Sequence, residues 1–90
     1  MPDSRFFHQK QNVTSRIVDD ETILVGTDGM QVHQLNRTAS FVWGKCDGVY
    51  SVDDIVEFVI HEFEVEPEVA RNEVVSLIAQ LQELDLLVAQ

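Results

Sequence analysis

The spacing of apolar residues changes once along this chain, near Asn36. Before it, apolar and β-branched residues come in short runs broken by turn chemistry; after it, they recur every three or four positions. Period two lines one face of a strand, and the i, i+3, i+4 spacing lines one face of a helix. Residues 13–19 predict a first strand, Asp20-Glu21 a tight turn, and residues 22–25 a second strand rich in β-branched side chains. Gly26, Thr27, Asp28 and Gly29 close the next turn, where Asp-Gly is a strong hairpin signal. Residues 30–35 predict a third strand. Its alternation puts His33 and Leu35 on one face and Met30, Val32 and Gln34 on the other. Three short strands joined this way make an antiparallel meander.

Asn36 is a good N-cap for the first helix, because its side-chain oxygen can accept from the free N–H groups of the first turn. That helix carries Ala39, Val42, Trp43 and Cys46 on one stripe and ends at Asp47-Gly48, where glycine can take the left-handed cap conformation. Ser51 opens a second helix, with Asp54 at the third position of a capping-box-like pair. Val52, Ile55, Val56, Val59, Ile60 and Phe63 are its apolar face, and Phe58 stands partly apart. Pro67 suits the first turn of a third helix, predicted over residues 67–84. There Ala70, Val74, Leu77, Leu81 and Leu84 fall within about 80° of one another on a helical wheel and predict the core face. Arg71, Val75, Ile78 and Gln82 form a neighbouring stripe, half apolar and half polar. That stripe either widens the core contact or meets a ligand. Leu86-Leu87-Val88 predicts an extended end that packs back.

Residues 1–12 read as a flexible tail in which Phe6 and Phe7 are the only apolar pair, leaving residues 13–90 as one domain. The order β-β-β-α-α-α, with a helix-turn-helix pair, describes a winged-helix-like α+β unit. Ninety residues bury only roughly 60–65% of the unfolded surface, so one modest core is all the chain can build.

Charge narrows the partners. Sixteen acidic residues face six basic ones, for a formal net charge of −10. From Ser51 onward there are ten acidic residues and one basic residue, Arg71. A DNA-reading third helix would carry Glu68, Glu73 and Glu83 against Arg71 alone, the wrong sign for phosphate contacts. Nucleic acid is therefore not an expected partner. No apolar run approaches a membrane span, and the start lacks the apolar stretch of a secretory signal, so a cytoplasmic protein is the expectation.

No catalytic constellation stands out. Cys46 is the lone cysteine and has no neighbouring base, while His8, His33 and His61 lie in different elements without metal-site spacing. No catalytic residue, metal ligand or cofactor is expected. What remains is a strand edge and a half-apolar helix stripe. An extended peptide can add to such an edge while its side chains enter a groove beside a helix. The expected peptide site is Met30, Gln31, Val32, His33, Gln34 and Leu35 on the strand, with Arg71, Val75, Ile78 and Gln82 on the helix.

The succession Gly29-Met30, Leu35-Asn36, Thr38-Ala39, Trp43, Asp47-Gly48, residues 52–55, Phe63, Glu73-Val74 and Leu81…Leu86-Leu87 resembles the PqqD-like family. The resemblance covers nearly the whole chain beyond residue 12. It implies a non-catalytic peptide chaperone that binds the leader of a ribosomally made precursor peptide beside the third strand and toward the third helix. It also implies a peptide-modifying enzyme as partner, in pyrroloquinoline quinone synthesis a radical S-adenosylmethionine enzyme. Members of the quinone pathway look more like Tyr-Pro-Glu-Gly where this chain has Gly26-Thr27-Asp28-Gly29, and Gly-Trp where it has Asp85-Leu86. Lasso-peptide or sactipeptide pathways are therefore equally open. The alternative is a winged-helix transcription regulator or interaction adaptor. An unpaired strand edge also leaves homodimer formation open.

Overall fold

The computed structural model describes residues 3–26 and 29–90. Its elements run β1 (Phe6–Gln9), β2 (Thr14–Val18), β3 (Glu21–Val25), β4 (Val32–Leu35), α1 (Arg37–Lys45), β5 (Asp47–Ser51), α2 (Val52–Phe63), α3 (Pro67–Glu83) and β6 (Leu87–Ala89). The α+β class and the antiparallel meander, in the order β2-β3-β4, are as the sequence predicts. The winged-helix description fits loosely, because a second sheet, β5-β1-β6, is also present.

Local chemistry explains most boundaries. Asp19 and Asp20, at φ 51° and 67°, form the two-residue turn between β2 and β3, one position earlier than the sequence pattern placed it. Both residues are held in the left-handed region, which matches the twist of a tight hairpin and which aspartate tolerates. Between β3 and β4, Gly29 has φ 71° and its N–H donates to the Gly26 carbonyl at 2.9 Å. Thr27 and Asp28 of this turn, like Met1 and Pro2, lie outside the described residues. Asn36 Oδ1 accepts from Ala39 N–H at 2.9 Å, and Ser51 and Asp54 complete a reciprocal capping box. Proline at the start of α3 needs no N–H partner there.

One core joins the sheets and helices. Leu24 and Leu35 from the meander meet Ala39, Val42 and Trp43 of α1 and Ile55, Val56 and Val59 of α2. Ala70, Val74, Ile78 and Leu81 of α3, followed by Leu86 and Leu87, complete it.

Residues 1–12 read as a flexible tail in the sequence, but the structure differs there. Phe6–Gln9 is instead the middle strand of the second sheet, antiparallel to β5 on one side and β6 on the other. Phe7 is 2% exposed, and the Gln9 side chain donates to the Trp43 carbonyl at 2.9 Å. Asp3 anchors the strand's start: its N–H donates to Asp53 Oδ2 at 2.8 Å, and its carbonyl accepts from Asp53 N–H at 3.0 Å. The strand forms because partners far along the chain satisfy its backbone, which no local pattern announces.

Candidate functional site

Strand β4 pairs with β3 on one side, through Val25↔Val32, Leu24↔His33, Ile23↔Gln34 and Thr22↔Leu35. Its direction of pairing follows from one bond: Gly26 N–H donates to the Gln31 carbonyl at 2.9 Å. That carbonyl therefore points toward β3. Across a planar trans peptide, the N–H of Val32 points the opposite way. Alternation then places the backbone N–H and C=O of both Val32 and Gln34 on the outer edge of the meander, where a further strand can pair. The Val32 side chain is 63% exposed on the outer face, while Leu35 enters the core.

Beside this edge, β4, the start of α1 and one flank of α3 enclose a depression of about 390 Å³. His33, Leu35 and Ala39 form one wall, and Leu77, Gln80, Leu81 and Leu84 the other. It continues into a second hollow of about 520 Å³ between α1 and α3, sharing Asn36, Ala39, Leu77 and Gln80 and reaching Asn72, Glu73 and Ser76. The lining mixes aliphatic side chains with the amides of Gln34, Asn36 and Gln80, and Glu73 is the charged side chain among these lining residues. His33 Nε2 is buried without a hydrogen-bond partner. A buried ring nitrogen left unpaired carries a desolvation cost that a polar ligand atom can remove.

Of the strand half of the expected site, Val32, His33, Gln34 and Leu35 line this groove. The helix half does not. Ile78 is 2% exposed and belongs to the core. Arg71 donates to Asp53 Oδ1 at 2.8 Å, so its flank of α3 faces the start of α2. Val75 packs against the core on the same flank, and Gln82 is exposed outside the groove. The buried arc Ala70, Val74, Ile78 and Leu81 is centred about 40° from the stripe the sequence pattern picked, on a wheel of 100° per residue. Leu77 is consequently only half-buried and Leu84 is 37% exposed. These two, with Gln80 and Glu73, are among the groove residues on α3's side that sequence reasoning missed. Apolar residues cover more than half of α3's circumference, and periodicity alone cannot say which flank a neighbour will cover. The amphipathic tilt of Leu77, Gln80 and Leu84 was the available signal.

Cys46 is buried under α1, and burial, with a smaller effect from Asp47, pushes its thiol up to about 12. It stays protonated and acts as a packing residue. Among the described residues no group of His, Cys, Asp or Glu is placed to hold a metal, and no helix is long and apolar enough to cross a membrane.

The family model for coenzyme PQQ synthesis protein D, PqqD, matches residues 21–87. The chain belongs to the PqqD family. No curated protein sequence matches it. Among solved structures, this PqqD-family chain is similar to TbiB1 in complex with the TbiA(beta) leader peptide, at 20% identity and TM-score 0.81, covering 89% of this chain and 93% of that one. It is similar to lasso peptide synthetase B1 complexed with the leader peptide, at 23% identity and TM-score 0.81, covering 91% and 96%. It is also similar to the PqqD truncation of Methylobacterium extorquens PqqCD, described as a functional and stand-alone recognition element for ribosomally synthesised and modified peptides. That match has 17% identity and TM-score 0.74, covering 91% and 87%. At such identities the likeness shows a shared fold.

Proposed function

We propose that this chain is a leader-peptide recognition element: it binds the leader of a ribosomally made precursor peptide and presents it to a modifying enzyme. The observation that carries this reading is the outward-facing backbone of Val32 and Gln34 running beside the groove against α3. A leader adds as a strand on β4, and its apolar side chains rest on Leu77 and Leu84. Backbone pairing supplies affinity that depends little on sequence, and the groove selects side chains. Glu73 favours a neutral or basic residue at its end of the groove, and the Nε2 atom of His33 offers one polar contact within it. Presentation requires no catalytic group, which suits a chain whose single thiol is held protonated. The solved relatives that hold leader peptides support the same reading.

The test is calorimetric titration of the chain with the leader of its own pathway's precursor. Binding tighter than about 1 mM, weakened by Leu84→Asp, is expected. No heat of binding with the leader, together with salt-sensitive retention of a DNA duplex, would favour the regulator reading instead.

A further inference from the structure

On the other flank of α1 from the groove lies a third hollow, of about 370 Å³. Lys45 Nζ stands 4.7 Å from the ring centroid of Phe58, 5.4 Å from that of Phe41 and 5.7 Å from that of Tyr50. The Arg37 guanidinium stands 5.2 Å from the ring of Phe63, which meets Phe41 edge-on at 5.4 Å. All four rings are half-buried. Ring faces attract cations, so both charges are held in place rather than waving on long side chains.

Two features of this patch set it apart from the rest of the chain. The first is the pairing of its charges. Arg5, Lys10 and Arg71 each reach a carboxylate, at Asp3, Asp85 and Asp53. Arg16, on the exposed strand β2, and Arg37 and Lys45 form no ion pair among the described residues; of these three, Arg37 and Lys45 stand over aromatic rings, although Asp20 and Glu62 line the same hollow. In a chain with a formal net charge of −10, two fixed cations left beside aromatic rings are a local exception. The second is Gly44, exposed on the helix between them. A Cβ at Gly44 would meet nothing within 4 Å. Glycine weakens a helix relative to alanine, and no packing within the chain requires it here. A partner pressed against the helix backbone would.

We infer that this patch is where the peptide-modifying enzyme docks, through a surface of that enzyme that pairs carboxylates with apolar side chains. The inference rests on the recognition-element reading above and adds the second surface that presentation demands. Charge complementarity selects the occupant: the rest of this chain repels an acidic surface, so Arg37 and Lys45 fix both the place and the orientation of contact. Leader and enzyme then occupy opposite flanks of α1 without competing.

The first experiment titrates the ¹⁵N-labelled full chain with a helical peptide of Glu, Leu and Ala. Amides of α1 and of the end of α2 should shift, those of β4 should not, and a control peptide with Lys in place of Glu should leave all of them unmoved. Shifts elsewhere, or equal shifts with the Lys peptide, overturn the assignment. The second uses the pathway's modifying enzyme and an Arg37→Gln, Lys45→Met variant, which removes the charges and keeps the packing. Its affinity for the enzyme should fall roughly tenfold or more, with leader affinity unchanged. Gly44→Ala should raise the melting temperature while weakening enzyme binding, a combination that a purely structural glycine would not produce. Unchanged enzyme affinity in both variants contradicts the docking surface. Loss of leader binding by the wild-type chain would contradict the recognition-element reading instead, so the two failures are distinguishable.

Discussion

The two sheets of this small domain answer the same chemical need in different ways. In β5-β1-β6 the middle strand comes from the start of the chain, and both sides of β1 are paired internally. In β2-β3-β4 the last strand ends on an open edge beside a groove. Strand β1 spans four residues, places one aromatic side chain in the core and anchors its ends with side-chain hydrogen bonds. On the proposed reading, it shows within one chain what β4 would accept from another: a short extended segment held by backbone pairing, with a side chain seated in the hollow beside it. The difference is one of place: β1 fills the position between two strands of its own chain, whereas the outer edge of β4 runs along a groove.

The largest expected effect comes from breaking the closed sheet. Phe7→Ala should cost roughly 3–5 kcal/mol, a large share of the about 5–15 kcal/mol available to a domain. Thermal denaturation checks it; a wild-type melting temperature would mean that β1 is not part of the core. Two substitutions on α3 sharpen the contrast between covered and open surface. Ile78→Asp should cost roughly 3–5 kcal/mol by leaving an unpaired charge in the core. Leu84→Asp, at an exposed position, should change stability by about 0.5 kcal/mol or less while weakening leader binding. The opposite pattern would return the groove to the flank carrying Arg71 and Val75.

Much of this architecture is legible in the sequence. The meander, the three helices, the caps at Asn36 and Ser51 and the start of α3 at Pro67 all follow from local chemistry. So do the faces of the last meander strand, where alternation turns Leu35 into the core and Val32 outward. What escapes is whatever depends on distant partners. Phe6–Gln9 offers a single alternation, and its neighbours lie near residues 50 and 88. Strand β5 hides behind Asp47-Gly48, which reads as a helix stop and is also the start of a strand. On α3, eight apolar residues from Ala70 to Leu84 spread over more than half the wheel, so the covered flank is decided by α2 through contacts such as Arg71 to Asp53.

A smaller effect should follow from acid. The hydrogen bonds from Arg5 hold the Asp3 carboxyl below its ordinary value of 3.8, against a weaker opposing effect of burial. A lowered folded value contributes stability that is complete above the ordinary value and is lost as pH falls through the folded one. The Asp3 carboxylate clasps Arg5 immediately before β1, accepting from its backbone N–H and guanidinium, so amides of Phe6–Gln9 should lose exchange protection at low pH before those of β3. Arg5→Ala should move that loss to higher pH. Simultaneous loss in both sheets, unaffected by Arg5→Ala, would show that this clasp does not hold β1.

The central claim is that β4 is the strand that receives a leader peptide, and proton exchange tests it most directly. With the leader of its own pathway's precursor bound, the amides of Val32 and Gln34 should become protected, because their N–H groups face the open edge. The amides of His33 and Leu35, already directed at β3, should change little. Val32→Pro should keep the fold, since an edge strand tolerates a missing outward donor, and should weaken the leader roughly tenfold. Protection that appears on β2 instead, or a Val32→Pro chain that binds as tightly as wild type, would contradict the account.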